Sequence, residues 1–266
     1  MLALILRVAS AGVEEVLDAI LPALPGGLHV RADGEQTSLT VFAAPGVPRE
    51  DELRRLAGVH LIELIAQDAP DDWRERRRER YEPLVVAERF LLRPDWAPSS
   101  EDAGLIEIVL EQSAAFGTGL HPTTQACLAT LATAEPGGSF ADYGCGSGVL
   151  SIAASRLGWS PVVAVDVDQA SIGAARGNAE ANGIEIDARR LDLTADPPPQ
   201  AETIAANIPP EVQTAVAGRV DRAPSLLIAS GFHPDETPEV AAAWGAHGLQ
   251  MSDEVRANEW CVLVMR

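Results

Sequence analysis

The chain has 266 residues, enough for one large domain or two modest ones, and 47% of them are hydrophobic, an ordinary share for a folded protein with a core. The formal net charge of −19 is spread out: residues 1–115 hold 12 basic and 21 acidic side chains, and residues 116–266 hold 8 and 18. Neither half has the concentrated positive field needed to bind a phosphate backbone, so nucleic acid is excluded as a direct partner, and the acidity either favours a basic partner or only keeps the protein in solution.

In chain order, residues 2–8 read as a buried strand rather than a signal peptide, because no basic region precedes the apolar run and no cleavage site follows it. Val13–Leu24 has the spacing of an amphipathic helix stopped by Pro25-Gly26-Gly27. "LHVRA" and "SLTVFAA" read as two strands across a polar turn at Asp33-Gly34. A helix, "PREDELRRLAG", and a strand, "VHLIELIA", complete the order β-α-β-β-α-β. That is the ferredoxin-like arrangement, a small α+β unit expected over residues 1–70. It carries no catalytic constellation, so it serves recognition or is a structural appendage.

"DDWRERRRERYEPL" reads as a solvated mixed-charge helix. Short strands follow between Val85 and Leu110, interrupted by "RPDWAPSSEDAG". A linker is expected over residues 71–105, and a second domain over 106–266. There a helix begins at Pro122, a residue favoured at the first helical position. "SFADYG", "PVVAVDV", "TIAANI", "SLLIASG" and "EWCVLVMR" read as strands. "GVLSIAASRLG" and "DQASIGAARGNAEANG" read as helices, the second closed by Asn182-Gly183. This alternation predicts a doubly wound, mostly parallel α/β sheet. Cys127, Cys145 and Cys261 are scattered with no CxxC, which suits a reducing, cytoplasmic setting and no zinc or other metal. No apolar run reaches the ~18 residues of a membrane span.

The chemistry concentrates in "ADYGCGSGVLSIAA", a strand, then Gly144-x-Gly146-x-Gly148, then a helix. Missing side chains let backbone approach a ligand beside a helix N-terminus. All 20 basic residues are arginine, so the turn is not a P-loop, which requires a lysine. A dinucleotide fingerprint places its third glycine one residue later, where this chain has Val149. The tighter turn is the one Rossmann-like methyltransferases use around S-adenosylmethionine, which has no pyrophosphate. Asp166 follows at a strand's carboxyl end, where a carboxylate accepts from both ribose hydroxyls and repels a 2′-phosphate. Asp168 suits the N-cap of the next helix. Asp192, in "RRLDLTADPPP", either faces an adenine amine or is a loop residue.

"FGTGLHPTT" (116–124), "DYGCGSGVLSIAA" (142–154), "AVDVDQASIGAARGNAEANG" (164–183), "AANI" (205–208) and "NEWCVLVMR" (258–266) occur in one order with tight spacing. Together they resemble the PrmA family, which methylates ribosomal protein eleven of the large subunit. The resemblance covers residues 80–266, and "FGTGxHPTT" is its most specific element. It implies a Rossmann-like methyltransferase domain with S-adenosyl-L-methionine as cofactor, bound by Thr124, Gly144, Asp166 and Asn207. The chain is then a monomeric enzyme that methylates amines of a basic ribosomal protein gripped by the N-terminal domain.

Physically, an FGTG segment can fold over the methionine end as a lid with Phe116 as its apolar wall. Thr123 and Thr124, in a first helical turn, either stabilise that turn or offer hydroxyl and N–H groups to the cofactor's carboxylate. Gly146 belongs to the same cofactor-binding turn. His121 precedes Pro122 and is a base or merely the residue that opens the helix. Asn207 ends its strand where its side-chain and nearby backbone carbonyls can accept from a substrate amine, which makes it the expected catalytic residue. Two departures bear on the substrate. Ile208-Pro209-Pro210-Glu211 replaces the family's small apolar continuation, and Glu111-Gln112-Ser113 replaces its Asp-Pro-Gly. The alternatives are methylation of another protein or small amine, or a cofactor-binding protein without activity.

Overall fold

The structure, a computed structural model, describes residues 2–20, 29–42, 49–68, 83–110 and 121–266. These fall into two compact units, residues 2–68 and residues 83–110 with 121–266.

In the first unit, β1 (Leu2–Ala9), β2 (His29–Asp33), β3 (Gln36–Phe42) and β4 (Leu61–Asp68) form one sheet in the order β2-β3-β1-β4. All its pairings are antiparallel. Alternation in LALILRVA sends Leu4, Leu6 and Val8 to one face, where they meet Leu39 and Val41 from β3. Helices α1 (Val13–Ile20) and α2 (Glu50–Ala57) cover that face with Val16, Ile20, Leu53 and Ala57. The acidic Glu50, Asp51 and Glu52 in the first turn of α2 and Arg54 and Arg55 in its last suit the helix dipole. The result is the ferredoxin-like order read from the sequence. β4 starts at Leu61 rather than Val59, because Gly58 adopts φ 55° and a 3-10 turn over Gly58–His60 intervenes. The last residues of the helix expected to reach Leu24 lie outside the described residues.

The second unit begins with a three-stranded sheet, two strands of which lie inside the stretch expected as a linker. It is formed by β5 (Leu84–Val86), β6 (Phe90–Arg93) and β7 (Ile106–Val109). A linker has nothing to bury, whereas Val86, Phe90, Leu92, Ile108 and Leu110 join the core of this unit. The polar excursion between β6 and β7 is held by Arg93, which donates to Glu107 at 2.8 Å, to the Ala97 carbonyl at 3.0 Å and to Ser99 at 2.9 Å.

The main sheet has seven strands, β8 (Phe140–Tyr143), β9 (Val162–Asp166), β10 (Asp187–Arg190), β11 (Thr203–Asn207), β12 (Leu226–Phe232), β13 (Met251–Ala257) and β14 (Trp260–Met265). Their order is β10-β9-β8-β11-β12-β14-β13. The first five are parallel, and β14 and β13 pair antiparallel at one edge. Five helices accompany it: α3 (Pro122–Thr133), α4 (Val149–Leu157), α5 (Gln169–Ala181), α6 (Pro210–Ala217) and α7 (Thr237–Gly245). The strand order reverses at β8, so the tips of β8 and β11 open a crevice where such sheets hold ligands. β8 is buried along its whole length and β11 and β12 along nearly all of theirs, as strands covered on both faces are. The sequence reading assigned nothing to β10, α6, α7 or β13. In β10, "DARR", only Ala188 is buried, and an edge strand with one inward residue leaves almost no pattern to read.

Candidate active site

The turn after β8 is knitted onto β9 by backbone. Gly144 N and Cys145 N both donate to the Val165 carbonyl, at 2.9 and 3.0 Å. Gly144 sits at φ 73°, and a methyl group there would lie 2.3 Å from Cγ2 of Ile208. Gly148 (φ 78°) caps α4, and its bare Cα lets the turn close on Ala175 of α5, 3.0 Å from where a Cβ would be. That glycine therefore does here the helix-packing task that a dinucleotide fold gives to its third glycine.

Asp166 closes the opposite wall. One carboxylate oxygen accepts from Gly146 N at 2.9 Å and the other from Asp168 N at 2.9 Å. Each oxygen keeps acceptor capacity, since a carboxylate offers about four lone-pair positions. Burial raises the Asp166 carboxyl above its ordinary value, opposed by those backbone donors. Asp168 caps α5, accepting from Ala170 N at 3.0 Å and Ser171 N at 3.3 Å. Asp192 holds a turn and also borders the crevice. It lines the cavity, and its Oδ1 holds a turn by accepting from Thr194 N at 2.9 Å and Thr194 Oγ1 at 2.6 Å. Those bonds keep its carboxyl below the usual range.

The far wall is the tip of β11. Asn207 ends the strand, and Ile208 turns inward, 6% exposed, with its N–H on the Ser230 carbonyl at 3.0 Å. Pro209 caps α6 and Pro210 opens it, so the two prolines start a helix rather than deform a loop. Buried Gln213 from that helix donates to the Ala206 and Ser230 carbonyls at 2.7 and 3.0 Å, which fixes the strand ends. Across from Asn207, α3 starts at Pro122 with His121 as its N-cap. Thr123 and Thr124 are 1% and 2% exposed.

These pieces enclose one cavity of about 460 Å³, lined by Thr124, Gly144, Gly146, Asp166, Asp192 and Asn207 together with apolar side chains such as Val149, Leu150, Val167, Leu193 and Ile208. Six of the seven residues expected to serve the site thus meet in one place, and Phe116 lies outside the described residues. Among the described residues the lining holds two carboxylates and no arginine or histidine. Such a donor set suits a cationic adenosine ligand, while a pyrophosphate would find no countercharge.

Two features had no clear signal in the sequence. Buried Asp142, at 1% exposure, accepts from Ser151 N at 3.0 Å and Ser151 Oγ at 2.7 Å beneath the glycine turn. Burial pushes its carboxyl up to about 7 despite those bonds. Trp260 stands edge-on to His121, with ring centres 5.2 Å apart, and stacks on His233 at 4.5 Å. Its only sequence cue was its place in "NEWCVLVMR".

Among known proteins, the family model described as Ribosomal protein L11 methyltransferase (PrmA) matches residues 54–266. The chain is 36% identical over 248 residues to a ribosomal protein L11 methyltransferase of Aeromonas hydrophila, covering 90% of this chain and 83% of that one. It is 33% identical over 217 residues to one of Escherichia coli, covering 79% and 73%. A crystal structure of a ribosomal protein L11 methylase from Lactobacillus delbrueckii superposes with a TM-score of 0.63 at 28% identity, covering 70% of this chain and 97% of that one.

Proposed function

We propose that this chain, which belongs to the PrmA family of ribosomal protein L11 methyltransferases, moves methyl groups from S-adenosyl-L-methionine to amines of ribosomal protein L11. The carrying observation is the cavity at the strand tips, where, among the described residues, carboxylates and apolar walls meet an asparagine amide and no cationic side chain. When bound, the cofactor supplies a sulfonium methyl that passes to the amine nitrogen in one displacement, the carbon–sulfur bond breaking as the carbon–nitrogen bond forms.

The chain's own residues bind, orient and desolvate. Asp166 accepts from the ribose hydroxyls with the lone pairs its backbone donors leave. Gly144 and Gly146 let main chain close on the ligand, and Asp192 presents its remaining oxygen toward the adenine. Thr124, with its hydroxyl and N–H in the first turn of α3, takes the cofactor's carboxylate, where the helix start carries partial positive charge. Asn207 accepts an N–H of the substrate amine and so directs the nitrogen lone pair. A lysine amine, near ~10.4 in water, must enter neutral, and burial beside a positive charge lowers its pKa in that direction. Positioning supplies most of the rate, because the methyl donor is intrinsically reactive.

The first unit, within residues 1–70, grips the substrate in this reading, and the net charge of −19 suits a basic ribosomal protein. We place the enzyme in the cytoplasm as a monomer. Among the described residues no helix is long and apolar enough to cross a membrane. Ile208-Pro209-Pro210-Glu211 carries a second reading, in which the acceptor is an amine of another protein. The test is incubation with tritiated cofactor and ribosomes lacking L11 methylation. A labelled band at the size of L11 is expected. Label on another protein selects the second reading, and cofactor binding without any label overturns both.

A further inference from the structure

An amide has two unlike ends, and the reaction proposed above needs the oxygen of Asn207 to face the amine. What decides which end faces the cavity is a chain of hydrogen bonds running back to the start of α3. Asn207 Nδ2 donates to Thr123 Oγ1 at 3.1 Å, across a sequence separation of 84. Thr123 Oγ1 lies 2.7 Å from His121 Nδ1, and the Thr123 backbone N–H donates to the same ring nitrogen at 3.3 Å.

The proton placement follows by elimination. A ring nitrogen that accepts from a backbone N–H cannot carry a proton of its own, so the imidazole is neutral with its hydrogen on Nε2. The Thr123 hydroxyl has one hydrogen and gives it to Nδ1. Its oxygen then offers only lone pairs to Asn207, which selects the amide's NH₂ end and leaves Oδ1 for the cavity. Thr123 is 1% exposed, so water does not compete for these bonds.

We propose that His121 and Thr123 are positioning residues that set the Asn207 amide with its oxygen toward the acceptor amine, an inference that rests on the methyl-transfer reading. The ring is held for this task by its N-cap bond and by its T-shaped contact with Trp260. Among the described residues, Glu259 and His233 lie on the β12 and β13–β14 side of the ring. Glu259 favours the charged ring, and His233 stands behind Trp260, bonded to the Glu259 carbonyl at 3.0 Å. Burial outweighs Glu259 and holds His121 below the ordinary histidine range. Protonating Nδ1 would aim N–H at N–H and release the amide, so turnover should fall on the acid side of that range.

The experiment compares wild type, Thr123→Val, Thr123→Ser and His121→Asn for cofactor affinity by calorimetry and for kcat on L11 between about pH 5 and pH 8. Thr123→Val keeps the branched shape and should lower kcat on the order of 10- to 100-fold, while cofactor affinity changes less than about threefold. Thr123→Ser, which restores the hydroxyl, should recover most of that loss. Deprotonation of the substrate amine makes kcat rise with pH in every variant, and the additional fall on the acid side of the histidine range should be present in wild type and absent in His121→Asn, whose side-chain oxygen replaces Nδ1 as an acceptor that does not titrate. Unchanged kcat in Thr123→Val, equal losses in Val and Ser, or wild-type and His121→Asn profiles of the same shape overturns the proposal alone. A wild-type protein that binds cofactor yet never labels L11 overturns the parent reading and this one with it.

Discussion

At one end of the cavity, the turn between β8 and α4 is held by main chain: two N–H groups on the Val165 carbonyl, glycines at positive φ, and a single carboxylate, Asp166, that accepts from the turn itself. At the other end, Asn207 and Thr123 come from segments 84 residues apart and meet through side-chain atoms only. The backbone-built end is broken by adding atoms or by removing its one charge. The side-chain-built end is broken by removing a single polar atom, and it alone carries groups whose loss should alter turnover more than affinity.

The largest expected effect lies at the side-chain end. Asn207→Ala should lower kcat/KM on the order of 100- to 1000-fold, as loss of one oriented polar group in a desolvated site does. Steady-state kinetics on L11 check it, and a change under about threefold would dissolve the distinction drawn above. Next comes Asp142 beneath the turn. Its folded value of about 7 exceeds the ordinary 3.8, so the folded state binds this proton more tightly than the unfolded chain. Its contribution is therefore full below the unfolded value and is lost as pH rises toward 7, a loss on the order of 2–4 kcal/mol. Urea midpoints of wild type and Asp142→Asn at several pH values isolate it, since only wild type should show this decline. Asp166→Asn comes third. It should weaken cofactor binding about 10- to 100-fold by calorimetry, as expected for hydrogen bonds to a charged acceptor. The smallest is Gly148→Ala, with φ 78° and Ala175 at 3.0 Å, which should cost about 1–2 kcal/mol of stability in a denaturant melt while leaving Asn207 in place.

What can be read in the sequence is what local rules write there. The β-α-β-β-α-β order of the first unit, the parallel strands of the second, the helix starts at Pro122 and Asp168 and the Gly144-x-Gly146-x-Gly148 turn each leave a period, a cap or a glycine pattern within a few residues. Asp166 was legible for the same reason, since it follows the turn at a fixed distance along one βαβ unit. β10 was not, because an edge strand with one buried alanine has no alternation to show. The short strands of β5, β6 and β7 were legible, but their place in the second unit became visible only once Phe90, Leu92 and Ile108 were seen to share a core with α3 and α4.

By itself, then, the sequence determined the succession of elements, the glycine turn and the carboxylate opposite it, because short-range sterics and hydrogen bonding dictate these wherever the chain lies. Only the tertiary structure decided that Thr123 joins Asn207 to His121, that Trp260 stands against that ring and that Asp142 is buried with Ser151 beneath the turn. These contacts join side chains that have no periodic relation along the chain, and the packing of the helices on the sheet brings them together.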